Sequence, residues 1–235
     1  ANIITYGMDK NASLHPTQSD FSLKGTRAQL QYGQTNFSID TALIGEYNLS
    51  NIMAASAVSL SMGISPDHIN KAMKSLPAIP GRLENIPCNC PGKVFVDYAH
   101  TPDAYEKLFS NLYNLAGNNV EILAVFGCGG NRDHNNRKEM GAIAEKYSTF
   151  SFITMDNPRT EHLKEINADI IKGFSHSNHD FIPDRKNAIK AALNRMKVNS
   201  ILLVLGKGRE NYQEIGLKKI YHSDIEIIKQ YNHAD

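Results

Sequence analysis

No apolar run in this 235-residue sequence approaches the roughly 18–20 residues of a membrane span. Membrane insertion through a helix is therefore not expected. Neither sign of charge is in excess, with a formal net charge of +1, which gives no reason to expect nucleic acid or an anionic membrane as partner. No basic-then-apolar signal segment opens the chain. Cysteine is scarce: three residues, an odd number, argue for a reducing compartment and a cytoplasmic location. Cys88-Asn89-Cys90 has ligand-type residues but no second pair, so zinc is not expected. No Gly-x-Gly-x-x-Gly follows a first strand, which disfavours a dinucleotide oxidoreductase. Gly206-Lys207-Gly208 lacks both the earlier glycine and the following Ser/Thr of a phosphate-binding loop. There is no repeat and no low-complexity tract. The chain opens at Ala1 without a methionine, directly in a strand-like run, so a fragment of a longer protein is expected.

What is present reads as an ordinary globular protein, 41% apolar and 21% charged. Residues 2–6 read as a short strand and residues 11–20 as loop. Alternating apolar and polar residues at 27–32 and 36–44, with Gly33 between, predict a hairpin. A small-residue helix is expected over 52–62. Ser65-Pro66 caps a second helix with Ile69, Ala72, Met73 and Leu76 inward. Pro77-Ala78-Ile79-Pro80-Gly81 marks the domain boundary. Beyond it strands and helices alternate, with strands at 94–97, 120–126, 150–155, 181–182 and 201–205. Helices are expected after Thr101-Pro102, over 137–147 and 161–174, from Asp184 to Met196, and from Ser223. Unbroken apolar strands in such an order predict an α/β fold, a Rossmann-like wound, mainly parallel sheet covered on both faces.

Four strands of that second part end in unusual polar sequences: Asp97 to Asp103, Gly127 to Asp133, Asp156-Asn157-Pro158-Arg159, and Gly206 to Glu210. In a parallel sheet all four lie along one edge, where ligands bind. Each has an ordinary alternative. Asp97 either holds a ribose or caps the next helix, and the glycine run either approaches an anion or makes a tight turn. Converging, they compose a site for a small zwitterionic or phosphorylated ligand. Arg159 offers a planar fork of donors suited to a carboxylate or phosphate.

In order along the chain stand Gly45-Glu46-Tyr47-Asn48-Leu49-Ser50-Asn51, Pro80-Gly81-Arg82-Leu83-Glu84, Val96 to Asp103, Phe126 to Asp133, Asp156 to Arg159, and Gly206 to Gln213. In these segments the sequence resembles the Mur ligases, and among them the diaminopimelate-adding type of peptidoglycan synthesis. The resemblance implies residues 1–80 as the end of the central α/β ATPase domain and residues 81–235 as the Rossmann-like C-terminal domain that binds the amino acid. The phosphate-binding loop, the carbamylated lysine and the Mg²⁺ ligands of the family lie upstream of such a chain, so it would be inactive alone, with no catalytic or metal-binding residue of its own.

The implied reaction is ATP-dependent amide formation. The terminal D-glutamate carboxylate of UDP-MurNAc-L-Ala-D-Glu is phosphorylated, and the amine of meso-diaminopimelate displaces phosphate. Arg137, Asp156, Asn157, Pro158, Arg159, Gly206 and Glu210 fall on the amino-acid-binding positions. Arg159, with Asn157, would clamp the distal carboxylate and Glu210 the distal ammonium, while Arg137 would hold the other carboxylate. Asn48 and Asn51 fall on adenine-contacting positions, and Arg82, Asp97 and His100 near the ribose and phosphates of ATP. A monomer is expected. The alternatives are a lysine-adding Mur ligase or a stand-alone amino-acid or nucleotide binding module. The chain departs from the family at Asn131, at Asn136 and Lys138 beside Arg137, and at Arg209, which adds a cation beside Glu210 that can compete with the ligand's ammonium.

Overall fold

In the computed structural model, which describes residues 3–117 and 120–232, the chain divides into units of residues 1–78 and 79–235. In the first, β1 (Leu14–Ser22), β2 (Gly25–Tyr32) and β3 (Thr35–Thr41) form an antiparallel sheet in that order, followed by α1 (Glu46–Ser61) and α2 (Pro66–Ser75). Inward residues of the sheet, among them Leu14, Leu30, Phe37 and Ile39, pack against Leu49, Ile52, Met53 and Ile69 of the helices. Burying those side chains is what holds the sheet and helices together, at roughly 1.5–3 kcal/mol for each large one.

Several expectations need correction here. β1 occupies most of the segment read as loop. It is an edge strand in which Leu14 alone is fully buried, and Pro16 is accommodated where the register shifts between Pro16 and Gln18. The expected strand at 2–6 reduces to a single bridge from Tyr6 to Leu14, and Asn2 lies outside the described residues. β3 ends at Thr41. Helix α1 starts at Glu46 rather than Ile52, because Gly45, at φ 96°, supplies the left-handed turn that launches it. Asn48 and Asn51 therefore lie within α1. Ser65 does cap α2 by accepting from the His68 N–H. Of its expected inward residues only Ile69 is fully buried, and Ala72 and Leu76 are exposed.

The second unit is built on a six-stranded sheet in the order β4-β5-β9-β6-β7-β8. These are β4 (Glu84–Asn85), β5 (Lys93–Asp97), β6 (Ile122–Phe126), β7 (Phe150–Ile153), β8 (His179–Phe181) and β9 (Ile201–Leu205). All neighbours pair parallel except β4 with β5. Every residue of β6 and β9 is buried, as a strand covered on both faces requires. Val94, Leu123, Val125, Leu202 and Val204 meet Ile189 and Leu193 of α6 (Arg185–Arg195) and Ile228 of α7 (Asp224–Lys229). On the opposite face Phe126 meets Tyr105 of α3 (Pro102–Ala116), ring to ring at 5.7 Å. Helices α4 (Asn135–Tyr147) and α5 (Leu163–Ile171) continue that layer. The expected α/β architecture with a mainly parallel sheet is the one observed.

Three helix starts follow the expected caps. Thr101, Asp184 and Ser223 each accept a hydrogen bond from the N–H three residues on. Helix α5 is shorter than expected and starts after His162. A hairpin of β10 (Tyr212–Ile215) and β11 (Lys218–Tyr221) was not expected. Nor was a disulfide: Cys88 and Cys90, two residues apart with Cα atoms 5.4 Å apart, are joined, against the expectation of reduced thiols. Cys128 remains a thiol.

Candidate amino-acid site

Strands β5, β9, β6 and β7 are consecutive neighbours, so their carboxyl ends bring the four polar loops side by side. A cavity of about 380 Å³ opens there, lined among others by Arg137, Asp156, Asn157, Arg159, Gly206 and Glu210, with Tyr98, His100, the Gly127–Gly129 loop, Arg132 and Asp133 also in its wall. Two backbone approaches keep it tight. A Cβ on Gly130 would stand 1.9 Å from the Pro158 carbonyl oxygen, and one on Gly206 would stand 2.5 Å from Asp156 Oδ2. Pro158 thus abuts the glycine loop and does not line the cavity.

At its centre the Asn157 side chain is fully engaged. Its Oδ1 accepts from Lys207 Nζ at 2.9 Å and from the Glu214 N–H at 2.9 Å, and its Nδ2 donates to Glu210 Oε2 at 3.1 Å. Lys207, completely buried, also donates to Glu210 Oε2 at 3.1 Å. Sequence reasoning set Lys207 aside with the phosphate-loop motif; its part depends on Asn157, fifty residues away in the chain. Burial raises the Asp156 carboxyl above its ordinary value, against the pull of Lys207 and Arg185. Asp156 Oδ2 has no partner among the described residues.

Arg159 sits at φ 51°, a left-handed conformation that is costly for a side chain of its size. Its backbone is tied to the β10–β11 hairpin: its N–H donates to the Glu214 carbonyl and its carbonyl accepts from Gly216 N–H. Its Nη1 donates to the Gly130 carbonyl at 2.8 Å and its Nε lies 3.0 Å from Glu214 Oε2. Among the described residues only one of the five guanidinium donors makes a hydrogen bond, and the contact to Glu214 is an ion pair.

Arg137, in the first turn of α4, is 1% exposed. Its terminal nitrogens donate to both oxygens of Glu161, at 2.5 and 2.7 Å, and to Asp169 and the Gly129 carbonyl. The Arg137 hydrogen bonds hold the Glu161 carboxyl at about 2, from an ordinary 4.5. A folded-state value below the unfolded one means the unfolded chain binds more protons between them, so stability is lost as pH falls through that range. Acid unfolding of the wild type should therefore steepen between about pH 4.5 and 2. Thermal melts of Glu161→Gln across that window should lack this component; a wild-type-like acid limb in the variant would remove Glu161 from the account.

Arg209 does not contest Glu210. It turns to Glu84, donating from Nε to Oε2 at 2.9 Å and from Nη2 to Oε1. Burial pushes the Glu84 carboxyl up, but the Arg209 and Gly81 N–H bonds outweigh it and the net shift is downward. Asp97, whose carboxyl is raised by burial, accepts the N–H groups of Leu83 and Ala99 at 2.6 and 2.7 Å. Arg82 lies over the Tyr98 ring, 5.3 Å from its centroid, and His100 Nδ1 meets the Tyr98 carbonyl. Neither Arg82 nor Asp97 lines the cavity. Asn48 is buried with its Nδ2 on the Ile44 carbonyl, and Asn51 is exposed. The Cys128 thiol is pushed up to about 12 by burial and lies 3.8 Å from Met140 Sδ, so it is no nucleophile near neutral pH. Among the described residues no group of three or more His, Cys, Asp or Glu side chains could hold a metal ion, and no helix is long and apolar enough to cross a membrane.

Below the cavity floor Arg185 and Asp224 form a completely buried bidentate pair, with bonds of 2.8 and 2.7 Å. Burial alone would raise the Asp224 carboxyl; Arg185 and His222 hold it far below its ordinary range. Arg185 also donates to the carbonyl of Leu205, the residue before Gly206.

A loop cluster at the carboxyl edge of a mainly parallel wound sheet is the architecture of an α/β domain, and that edge is where ligands bind in the class. The chain belongs to the Mur ligase family: residues 81–208 match the model for the Mur ligase glutamate ligase domain, and residues 1–59 that for the Mur ligase middle domain. A UDP-N-acetylmuramoyl-L-alanyl-D-glutamate–2,6-diaminopimelate ligase from Fusobacterium nucleatum subsp. nucleatum is 40% identical over 229 residues, 97% of this chain and 46% of that protein. A solved structure of a ligase of that name superposes with a TM-score of 0.68 at 32% identity, over 96% of this chain and 46% of that one. Folylpolyglutamate synthase from Mycobacterium tuberculosis, solved with ADP and AMPPCP, shares the fold at 20% identity and a TM-score of 0.69, covering 83% of this chain and 46% of that one. The chain thus spans about half the length of the relatives it matches.

Proposed function

We propose that this chain is the amino-acid-selecting part of an ATP-dependent ligase that joins meso-diaminopimelate to UDP-MurNAc-L-Ala-D-Glu in peptidoglycan synthesis, in the cytoplasm. Residues 1–80 would be the end of its ATPase domain and residues 81–235 its C-terminal domain. The observation that carries the reading is the pairing, in one cavity, of an under-committed guanidinium at Arg159 with an acidic side chain at Glu210. meso-Diaminopimelate carries a carboxylate and an ammonium at each end. Arg159 would take the distal carboxylate through its uncommitted donors. Glu210 Oε1, unpartnered among the described residues, would take the ammonium, while Lys207 holds Oε2. Asn157 would fix both by its bonds to Lys207, Glu210 and the hairpin, with Asp156 and Gly206 shaping the floor and Pro158 setting the turn. Arg137 is assigned the other carboxylate, which would replace one of the acceptors now on its terminal nitrogens. Holding the amine in place is the main contribution, since orientation alone supplies several kcal/mol.

Phosphoryl transfer from ATP would activate the acceptor carboxylate. Asn48 and Asn51 would serve the adenine, and Arg82 and His100 the ribose and phosphates. Asp97, committed to two backbone N–H groups, would act by holding the loops of Leu83 and Ala99. No step is assigned to Mg²⁺ on residues of this chain, and the protein is taken as a monomer. An NMR titration of the chain with meso-diaminopimelate and with L-lysine tests the reading. Shifts at Asn157, Arg159 and Glu210 with diaminopimelate alone are expected. An equal response to lysine would favour a lysine-adding ligase, and silence to both would remove the site.

A further inference from the structure

We propose that Glu214 is a specificity-positioning residue, which holds Arg159 in the pose that reads the ligand's distal carboxylate. The inference rests on the amino-acid site proposed above. Glu214 lies outside the four sheet-edge loops, on the β10–β11 hairpin. It reaches the Asp-Asn-Pro-Arg turn by three routes. Its N–H donates to Asn157 Oδ1, its carbonyl accepts the Arg159 N–H, and its Oε2 lies 3.0 Å from Arg159 Nε.

A left-handed arginine needs such support. An arginine at φ 51° persists only where its surroundings over-determine it. Main-chain bonds from Glu214 and Gly216 fix the backbone, but they leave a long side chain with several rotamers. The ion pair at Nε, together with the hydrogen bond from Nη1 to the Gly130 carbonyl, restrains the guanidinium at two points. A carboxylate beside an arginine would ordinarily cancel the charge the ligand needs. Here Lys219 Nζ stands 3.8 Å from Glu214 Oε1, on the oxygen not used by Arg159. The trio of Arg159, Glu214 and Lys219 therefore retains a positive excess. Arg159 and Glu214 side chains are 28% and 27% exposed, so truncating Glu214 leaves no deep cavity.

The test is a set of variants of the chain, titrated with meso-diaminopimelate and L-lysine. Glu214→Ala should weaken diaminopimelate binding about tenfold, equivalent to about 1.4 kcal/mol, and leave lysine binding and the melting temperature unchanged. Glu214→Gln keeps a side-chain oxygen of the same reach against the guanidinium and should retain most of the affinity. In an Arg159→Ala background, Glu214→Ala should cost nothing further. If Arg159→Ala weakens diaminopimelate but Glu214→Ala does not, or if Gln is as poor as Ala, the positioning role falls and the site stands. If wild-type chain binds neither amino acid, or Arg159→Ala has no effect, the site reading falls and this inference with it.

Discussion

Arg159→Ala, in the full-length enzyme, is expected to lower kcat/KM for meso-diaminopimelate by at least about tenfold and that for L-lysine much less. The asymmetry follows from what each ligand leaves behind. Diaminopimelate brings a carboxylate to a guanidinium with uncommitted donors, and charge-assisted bidentate pairs are the strong ones. Lysine brings none, so closing it into the same cavity would desolvate the uncommitted donors of Arg159 with no ligand acceptor for them, at roughly 2 kcal/mol. That corresponds to selectivity of about 30-fold. Removing the arginine removes the penalty along with the attraction, so the two amino acids should converge. Steady-state kinetics with both decides the matter: equal proportional losses would mean that Arg159 is not the selector.

The largest effect on stability is expected at Arg185→Met. It strips the guanidinium from Asp224, a carboxylate with no exposure at all, and leaves it only His222; breaking a buried pair costs about 3–5 kcal/mol. For a chain of this length that is a fall of about 10 °C in Tm. The double variant Arg185→Met/Asp224→Leu should recover much of the loss, because it removes the stranded charge as well as its partner. Urea unfolding measures both. A single-variant loss below about 1 kcal/mol, typical of exposed pairs, would show that solvent reaches the pair in solution. Because Arg185 also holds the Leu205 carbonyl, the single variant should loosen the Gly206 turn.

The parallel core was legible because β6 and β9 are apolar at every position and sit between Gly, Asn and Ser punctuation. Thr101, Asp184 and Ser223 announced their helices by local capping chemistry, which a sequence displays in full. β1 was not legible: its outward residues are polar, its proline reads as a stop, and only pairing with β2 makes it a strand. The β10–β11 hairpin carries no burial rhythm, since all of β11 is exposed. Within the site, residue types and strand-end positions pointed to the Asp-Asn-Pro-Arg turn. Which cation meets which anion was beyond reach. Arg209 finds Glu84 across 125 residues, and Arg137 finds Glu161 across 24; such choices are made by tertiary packing.

The single amide of Asn157 has a bearing on how such a pocket changes over generations. One side chain serves Lys207, Glu210 and the hairpin main chain at once, so its replacement is felt by three partners together. An aspartate there would set a second negative charge against Glu210; an alanine would leave the buried Lys207 ammonium with Glu210 alone. Substitutions at these positions are therefore epistatic. A lineage, or an engineer, moving toward a different amino acid would have to alter Asn157 and Lys207 jointly. Single-step intermediates would be less stable than either endpoint, which favours retention of the whole constellation.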